Sequence, residues 1–140
     1  MTQESKKQPT ILIVEDELAL LTAYAEELIE EGFIVLKAAN GQEGLDTALA
    51  QQPDLILLDI LMPVMDGLTM LQRLRQKNSW GKSVPVIMLT NLLADEEKII
   101  RSIALYEPAY YLIKSHWSLQ DVVEKIRERL DRKKELGSEK

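Results

Sequence analysis

A chain of 140 residues is the size of one ordinary domain, and its 17 Lys+Arg against 23 Asp+Glu leave a formal net charge of -6. That sign works against the sequence-independent attraction to phosphate on which most nucleic-acid binding rests, so direct contact with nucleic acid is not expected. With no cysteine there is neither a disulfide framework nor a thiolate metal site, and with no apolar stretch near the roughly 20 residues that span a bilayer, no signal-like N-terminus and no membrane insertion, the expected setting is the cytoplasm.

In chain order, the polar segment 1–9 is expected to be disordered and is followed by ILIV, Ile11 to Val14, the first of five strand-like runs. Leu18, Leu21, Ala25, Leu28 and Ile29 then recur at helical spacing, with Gly32 as a residue suited to a left-handed C-cap. Phe33 to Lys37 reads as a second strand. Asn40 followed by Glu43 is a capping-box variant, and Pro53 lies beyond the last helical position, so a second helix is predicted from Gly41 to Gln51. LILL, Leu55 to Leu58, is the third strand, and Leu68, Met70, Leu71 and Leu74 mark a third helix. VIML, Val86 to Leu89, is the fourth strand, and Ile99, Ile100 and Ile103 suggest a fourth helix. Tyr110 to Ile113 is the fifth strand, and Val122, Val123, Ile126 and Leu130 form a fifth helix opened by Ser118.

Alternating strands and helices are the signature of an α/β fold, a parallel sheet with helices on both faces. The three runs that are apolar throughout suit central strands covered on both faces, which leaves the second and fifth as edges. The expected organisation is one domain over 10–132, with a charged tail at 133–140 and no room for an output domain.

In such a sheet ligands bind at the carboxyl ends of the strands, where the loops vary and helix N-termini converge. The first strand ends in Glu15 and Asp16, the third in Asp59, the fourth in Thr90 and the fifth in Lys114. Singly, each has an ordinary use as a helix cap, a turn residue or a solvated charge. Together they gather three carboxylates, a hydroxyl and an ammonium in one crevice. Three negative charges against one positive charge call for a cation, and hard carboxylate oxygens suit Mg²⁺ better than zinc. A pocket neutralised in this way can admit a phosphoryl group, with Asp59 as the candidate nucleophile.

The segments ILIVED, LILLDILMPVMDG, VIMLT and YYLIK resemble, in order and spacing, the motifs of response-regulator receiver domains, the CheY-like proteins of two-component signalling; the likeness spans roughly Thr10 to Leu130. The resemblance implies a flavodoxin-like, doubly wound five-stranded sheet of order 2-1-3-4-5. It implies Asp59 as phosphoacceptor, with Mg²⁺ held by Asp16, Asp59 and the backbone carbonyl of Leu61, and by Glu15 through water. Thr90 and Lys114 would hold the phosphoryl oxygens, and Tyr111 stands at the aromatic switch position. The implied partners are a sensor histidine kinase or phosphotransfer protein upstream and a protein target downstream. Leu105, Tyr106 and Tyr110 lie toward the face of the fourth helix and fifth strand through which such domains signal or pair. With Tyr110 where pairing members often carry an acid, a dimer through that face stays open.

Ser115 follows Lys114 where the family usually has a cis proline. A cis bond before serine costs about 3–4 kcal/mol against about 0.5–1 before proline. A trans bond with another loop route and a cis bond held by packing are both open. Asn91 stands where a small residue is common and is expected to narrow access to Asp59 and limit uptake of small-molecule phosphodonors. Leu61 and Leu92 flank the line of water attack, so a long-lived acyl phosphate is expected. His116, Trp80 and Trp117 read as loop residues. The rival readings are a phosphatase of the haloacid-dehalogenase type and a receiver-like module independent of phosphate. The first would need a second aspartate two residues after the nucleophile, where Leu61 stands, so the chain reads as a switch rather than an enzyme.

Overall fold

Successive side chains of a strand point to opposite faces, so a strand that is apolar at every position must be covered on both. The structure, a computed structural model that describes residues 8–90, 101, 105–108 and 110–138, shows this for the central strands. The side chains of Thr90, Ser115 and residues 133–138 are also outside the description. β1 (Thr10–Val14), β2 (Ile34–Ala38), β3 (Leu55–Leu58), β4 (Val86–Thr90) and β5 (Tyr110–Ile113) form one parallel sheet of order β2-β1-β3-β4-β5. Fold class, strand order and the two edges are as expected.

Leu12, Val14, Ile56 and Leu58 face one side, where they pack with Leu45, Met70 and their neighbours beneath α2 (Gly41–Gln51) and α3 (Gly67–Lys77). Ile11, Ile13, Leu55 and Leu57 face the other, beneath α1 (Leu18–Glu30) and the C-terminal helix. Matching registers, Val14 beside Leu58 and Thr90 beside Ile113, bring the carboxyl ends of four strands to one edge of the sheet.

Several boundaries moved for local reasons. Phe33 is not the first residue of β2: its N–H donates to Leu28 O at 3.0 Å and its ring is buried, so the strand begins at Ile34. In α1 the buried stripe is Leu21, Tyr24, Ala25 and Leu28, while Leu18 and Ile29, on its flank, are 73% and 59% exposed. Helix α2 runs as predicted: Asn40 Oδ1 accepts from Glu43 N–H at 2.9 Å, and Glu43 reaches back to the N–H of Ala39 at 3.1 Å.

A short helix, α4 (Ser79–Ser83), was not anticipated; Asn78 Oδ1 caps it by accepting from Gly81 N–H at 2.7 Å. Trp80 therefore lies on a helix, half-buried against the core, whereas Trp117 is a loop residue, as expected, and packs on the opposite layer. The C-terminal helix, α5 (Leu119–Ser138), opens with the reciprocal bonds of Ser118 and Asp121 at 3.1 and 3.2 Å. It continues to Ser138, through most of the segment expected as a tail. Ile99, Ile100 and Ile103, which mark the expected fourth helix, lie outside the described residues, as do Asn91 and Leu92. Among the described residues no helix is long and apolar enough to cross a membrane.

Candidate phosphoacceptor and metal site

Asp59 follows β3 directly, and its N–H continues the ladder by donating to Val14 O at 3.0 Å. That bond fixes the residue where the strand stops and the loop to α3 begins. Gly67, the first residue of α3, lies so close that a Cβ would collide with the carbonyl oxygen of Asp59, and its N–H donates to Ile60 O at 2.7 Å. Only glycine permits that approach. The loop is folded back onto the carboxylate, and the N–H of Ile60 donates to Asp59 Oδ1 at 2.8 Å.

Glu15 leaves β1 in the same way, its N–H bonded to Ala38 O at 3.0 Å. Its Oε2 accepts from Glu17 N–H at 3.1 Å, and its Oε1 accepts from Lys114 Nζ at 2.8 Å. The same ammonium lies 3.4 Å from Asp59 Oδ2. Glu15 and Asp59 are only 3% and 7% exposed, and the lysine side chain 10%. Lys114 is therefore not a solvated charge. It reaches the pocket from the first residue of a 3-10 turn, Lys114–His116, and among the described residues no peptide bond is cis. Of the two routes left open for the loop before Ser115, the trans one is taken.

Electrostatics follow from this crowding. Burial, and then the neighbouring charge of Glu15, raise Asp59 from its ordinary 3.8 to about 6, against the pull of Lys114 and the Ile60 N–H. Burial alone would lower Lys114, but its bond to Glu15 and the charges of both acids together carry it upward, so it stays an ammonium. Carboxylate oxygens of Glu15, Asp16 and Asp59 lie within 4.8 Å of one another, with Asp16 at the exposed rim. Three acids sharing one base, one of them resisting ionisation, make a pocket short of positive charge. An all-oxygen donor set of that kind fits a hard divalent cation such as Mg²⁺.

A family model, the response regulator receiver domain, matches residues 11–127. The chain belongs to that family. Curated proteins similar to this receiver include the DNA-binding dual master transcriptional regulator RpaA of Synechocystis, 40% identical over 65% of this chain and 37% of its own length. Another is the probable C4-dicarboxylate response regulator DctR of Priestia megaterium, 36% identical over 79% of this chain and 47% of its own. This receiver thus spans between about a third and a half of the curated relatives' length. Among solved structures, a CheY-like receiver domain protein from Methanospirillum hungatei superposes with a TM-score of 0.82, at 29% identity over 92% of this chain and 98% of that one. Receiver domains are regulatory parts of two-component systems rather than classical enzymes.

Of the residues singled out from the sequence, Glu15, Asp16, Asp59 and Lys114 are brought together in this receiver. Leu61 lies in the following loop with its side chain 58% exposed. Thr90 ends β4 beside Ile113, next to Lys114, but its side chain lies outside the described residues. Tyr111 is half-buried against the layer beneath α2 and α3, paired across the sheet with Met88. His116 is exposed, as read from the sequence.

One neighbour was missed. The hydroxyl of Tyr24 is raised first by burial and feels the charges of Lys114, Glu15 and Asp59. Its spacing with Leu21, Ala25 and Leu28 was the available signal.

Proposed function

We propose that this receiver accepts a phosphoryl group on Asp59 from a histidine kinase or phosphotransfer protein, and that the modified domain switches the binding of a downstream protein through Thr90 and Tyr111. The observation that carries the reading is the placement of Lys114 Nζ, 3.4 Å from Asp59 Oδ2 and 2.8 Å from Glu15 Oε1, in a buried pocket rimmed by Asp16. Asp16, Asp59 and the carbonyl of Leu61 would hold Mg²⁺, with Glu15 acting through water; when bound, the ion supplies charge neutralisation for the phosphoryl oxygens.

Asp59 is the nucleophile. One of its carboxylate oxygens forms the bond to phosphorus as the phosphorus–nitrogen bond of a phosphohistidine breaks, and the imidazole leaves. Oδ1 is tied to the Ile60 N–H, which leaves Oδ2, on the Lys114 side, to attack. Lys114 and Thr90 then hold the new phosphoryl oxygens, and Tyr111 follows the movement of Thr90. The trans, 3-10 route before Ser115 still aims the ammonium, which supports a phosphate-dependent switch over a module independent of phosphate.

The experiment is to incubate the purified chain with a phosphorylated phosphotransfer protein and Mg²⁺ and to weigh the intact protein. We expect a gain of one phosphoryl group, lost with Asp59→Asn and slow to disappear when Mg²⁺ is kept present. A phosphorylated Asp59→Asn variant, or no transfer from any donor together with no response to beryllofluoride, overturns the reading.

A further inference from the structure

Helix α3 joins two fixed points. At its start Gly67 is bonded to Ile60 O at 2.7 Å and packed on the carbonyl of Asp59. Along its length Met70, Leu71 and Leu74 are wholly buried, so the helix cannot slide without moving the core.

At its last turn Arg75 spreads one guanidinium over four carbonyl oxygens. Nη1 donates to Val84 O at 2.7 Å and Gly81 O at 2.9 Å, Nε to Tyr106 O at 2.8 Å, and Nη2 to Glu107 O at 3.0 Å. Val84 leads into β4, which ends in Thr90; Tyr106 and Glu107 precede β5, which carries Tyr111. Glu107 also holds a left-handed backbone, φ +48°, a conformation that a non-glycine residue keeps only when its surroundings over-determine it.

We propose that Arg75 is a positioning residue of the switch: it locks the chain leading into β4 and β5 to the far end of the helix that starts on Asp59, so that a change at the phosphoacceptor reaches Tyr111 through α3. The inference rests on the receiver reading above. A planar fork with five donors is what allows one side chain to hold four carbonyls from two separate segments. An ammonium at the same place would reach one or two of them.

The experiment uses the full chain with Mg²⁺ and beryllofluoride, an acyl-phosphate mimic, and follows the amides of Tyr106, Glu107, Tyr110 and Tyr111 by NMR. Arg75→Lys and Arg75→Met are expected to bind beryllofluoride within about threefold of the parent while losing at least about half of the shift at those amides. Parent-sized shifts in Arg75→Lys overturn the proposal, as does an affinity that collapses with stability in both variants. The unsubstituted protein supplies a second reading if neither variant folds: slow exchange of the Arg75 Nε–H with solvent supports the clamp, and exchange as fast as a solvated guanidinium overturns it. A parent that takes no beryllofluoride removes the receiver reading and this inference together, whereas a responding parent with an equally responsive Arg75→Lys removes only the inference.

Discussion

At its first residue α3 presses against Asp59, where two buried carboxylates share one ammonium; at its last turn it holds a half-buried guanidinium among four carbonyls. Both ends draw charge at least partly out of water, but they settle it differently. Around Arg75 each carbonyl gains a donor; burial is the main influence that lowers the guanidinium, and Glu107 works against it. Around Asp59 the acids outnumber the base, and burial and repulsion leave the carboxyl poised near 6. The first arrangement is satisfied and resists change. The second is short of a cation and is altered by whatever brings one.

The sharpest way to break the contrast is at Gly67. A methyl group there has backbone on its path, the carbonyl of Asp59 and the Cα of Ile60, not the end of a flexible side chain. Overpacking typically costs about 1–3 kcal/mol, and backbone that cannot yield puts Gly67→Ala at or above the top of that range. Urea unfolding measures it, and a loss under about 1 kcal/mol would show that the helix and loop can separate cheaply.

Next is Arg75→Met, expected to cost about 2–4 kcal/mol, because it strips donors from partly buried carbonyls while keeping much of the side-chain volume. Arg75→Lys should recover only part of that loss. The two substitutions compare fork geometry with charge alone, and equal stability of Arg75→Lys and the parent would refute the geometric account.

At the poised end the sign reverses. The folded value of Asp59 lies above its ordinary 3.8, so the native state holds the proton more tightly than the unfolded chain does. The fold therefore loses stability from this group as pH rises from about 4 to about 6, and the cost is complete above that. Asp59→Asn should stabilise the metal-free protein by about 1–3 kcal/mol at pH 8 and by much less at pH 4. Denaturation in the presence of a chelator, at a series of pH values, checks this; a variant no more stable than the parent at pH 8 would mean that Lys114 already balances the pocket.

The poised end was far more legible in the sequence than the satisfied one. Strand ends announce themselves: ILIV, LILL and VIML can only be central strands, and the polar residues that follow them must meet at one edge of a parallel sheet. Glu15, Asp59 and Lys114 were legible for that reason. Arg75 was not, because in RLRQK it looks like any charge on a polar helix face, and its partners come from residues 81–107, which only the tertiary fold brings to it. The five-residue α4 is too short to display a period, so Asn78 and the glycine it caps were the only local cue. Leu18 and Ile29 matched the helical spacing yet stayed exposed, since spacing marks a face but not how far the sheet extends beneath it. Local preference favours a trans bond before Ser115, but only the tertiary fold shows that no packing there holds the costly cis form.

The smallest effect tests whether the loop over the poised end carries strain. Val64, between Pro63 and Met65, is 81% exposed and adopts φ +70°, where a β-branched residue is a genuine outlier. Nothing about its exposure rewards the side chain, so the conformation is imposed by its neighbours: Gly67 is locked on Ile60, and Met65 N–H bonds to Pro63 O at 2.7 Å. Glycine adopts that backbone freely but costs more to order, and left-handed strain of about 1–2 kcal/mol set against that entropy leaves a net gain of about 0.5–1 kcal/mol for Val64→Gly. Thermal unfolding measures the gain. If the variant is less stable than the parent, the loop is not held under strain by Gly67, and the rigidity ascribed to the Asp59 end of α3 has to come from the buried helix face alone.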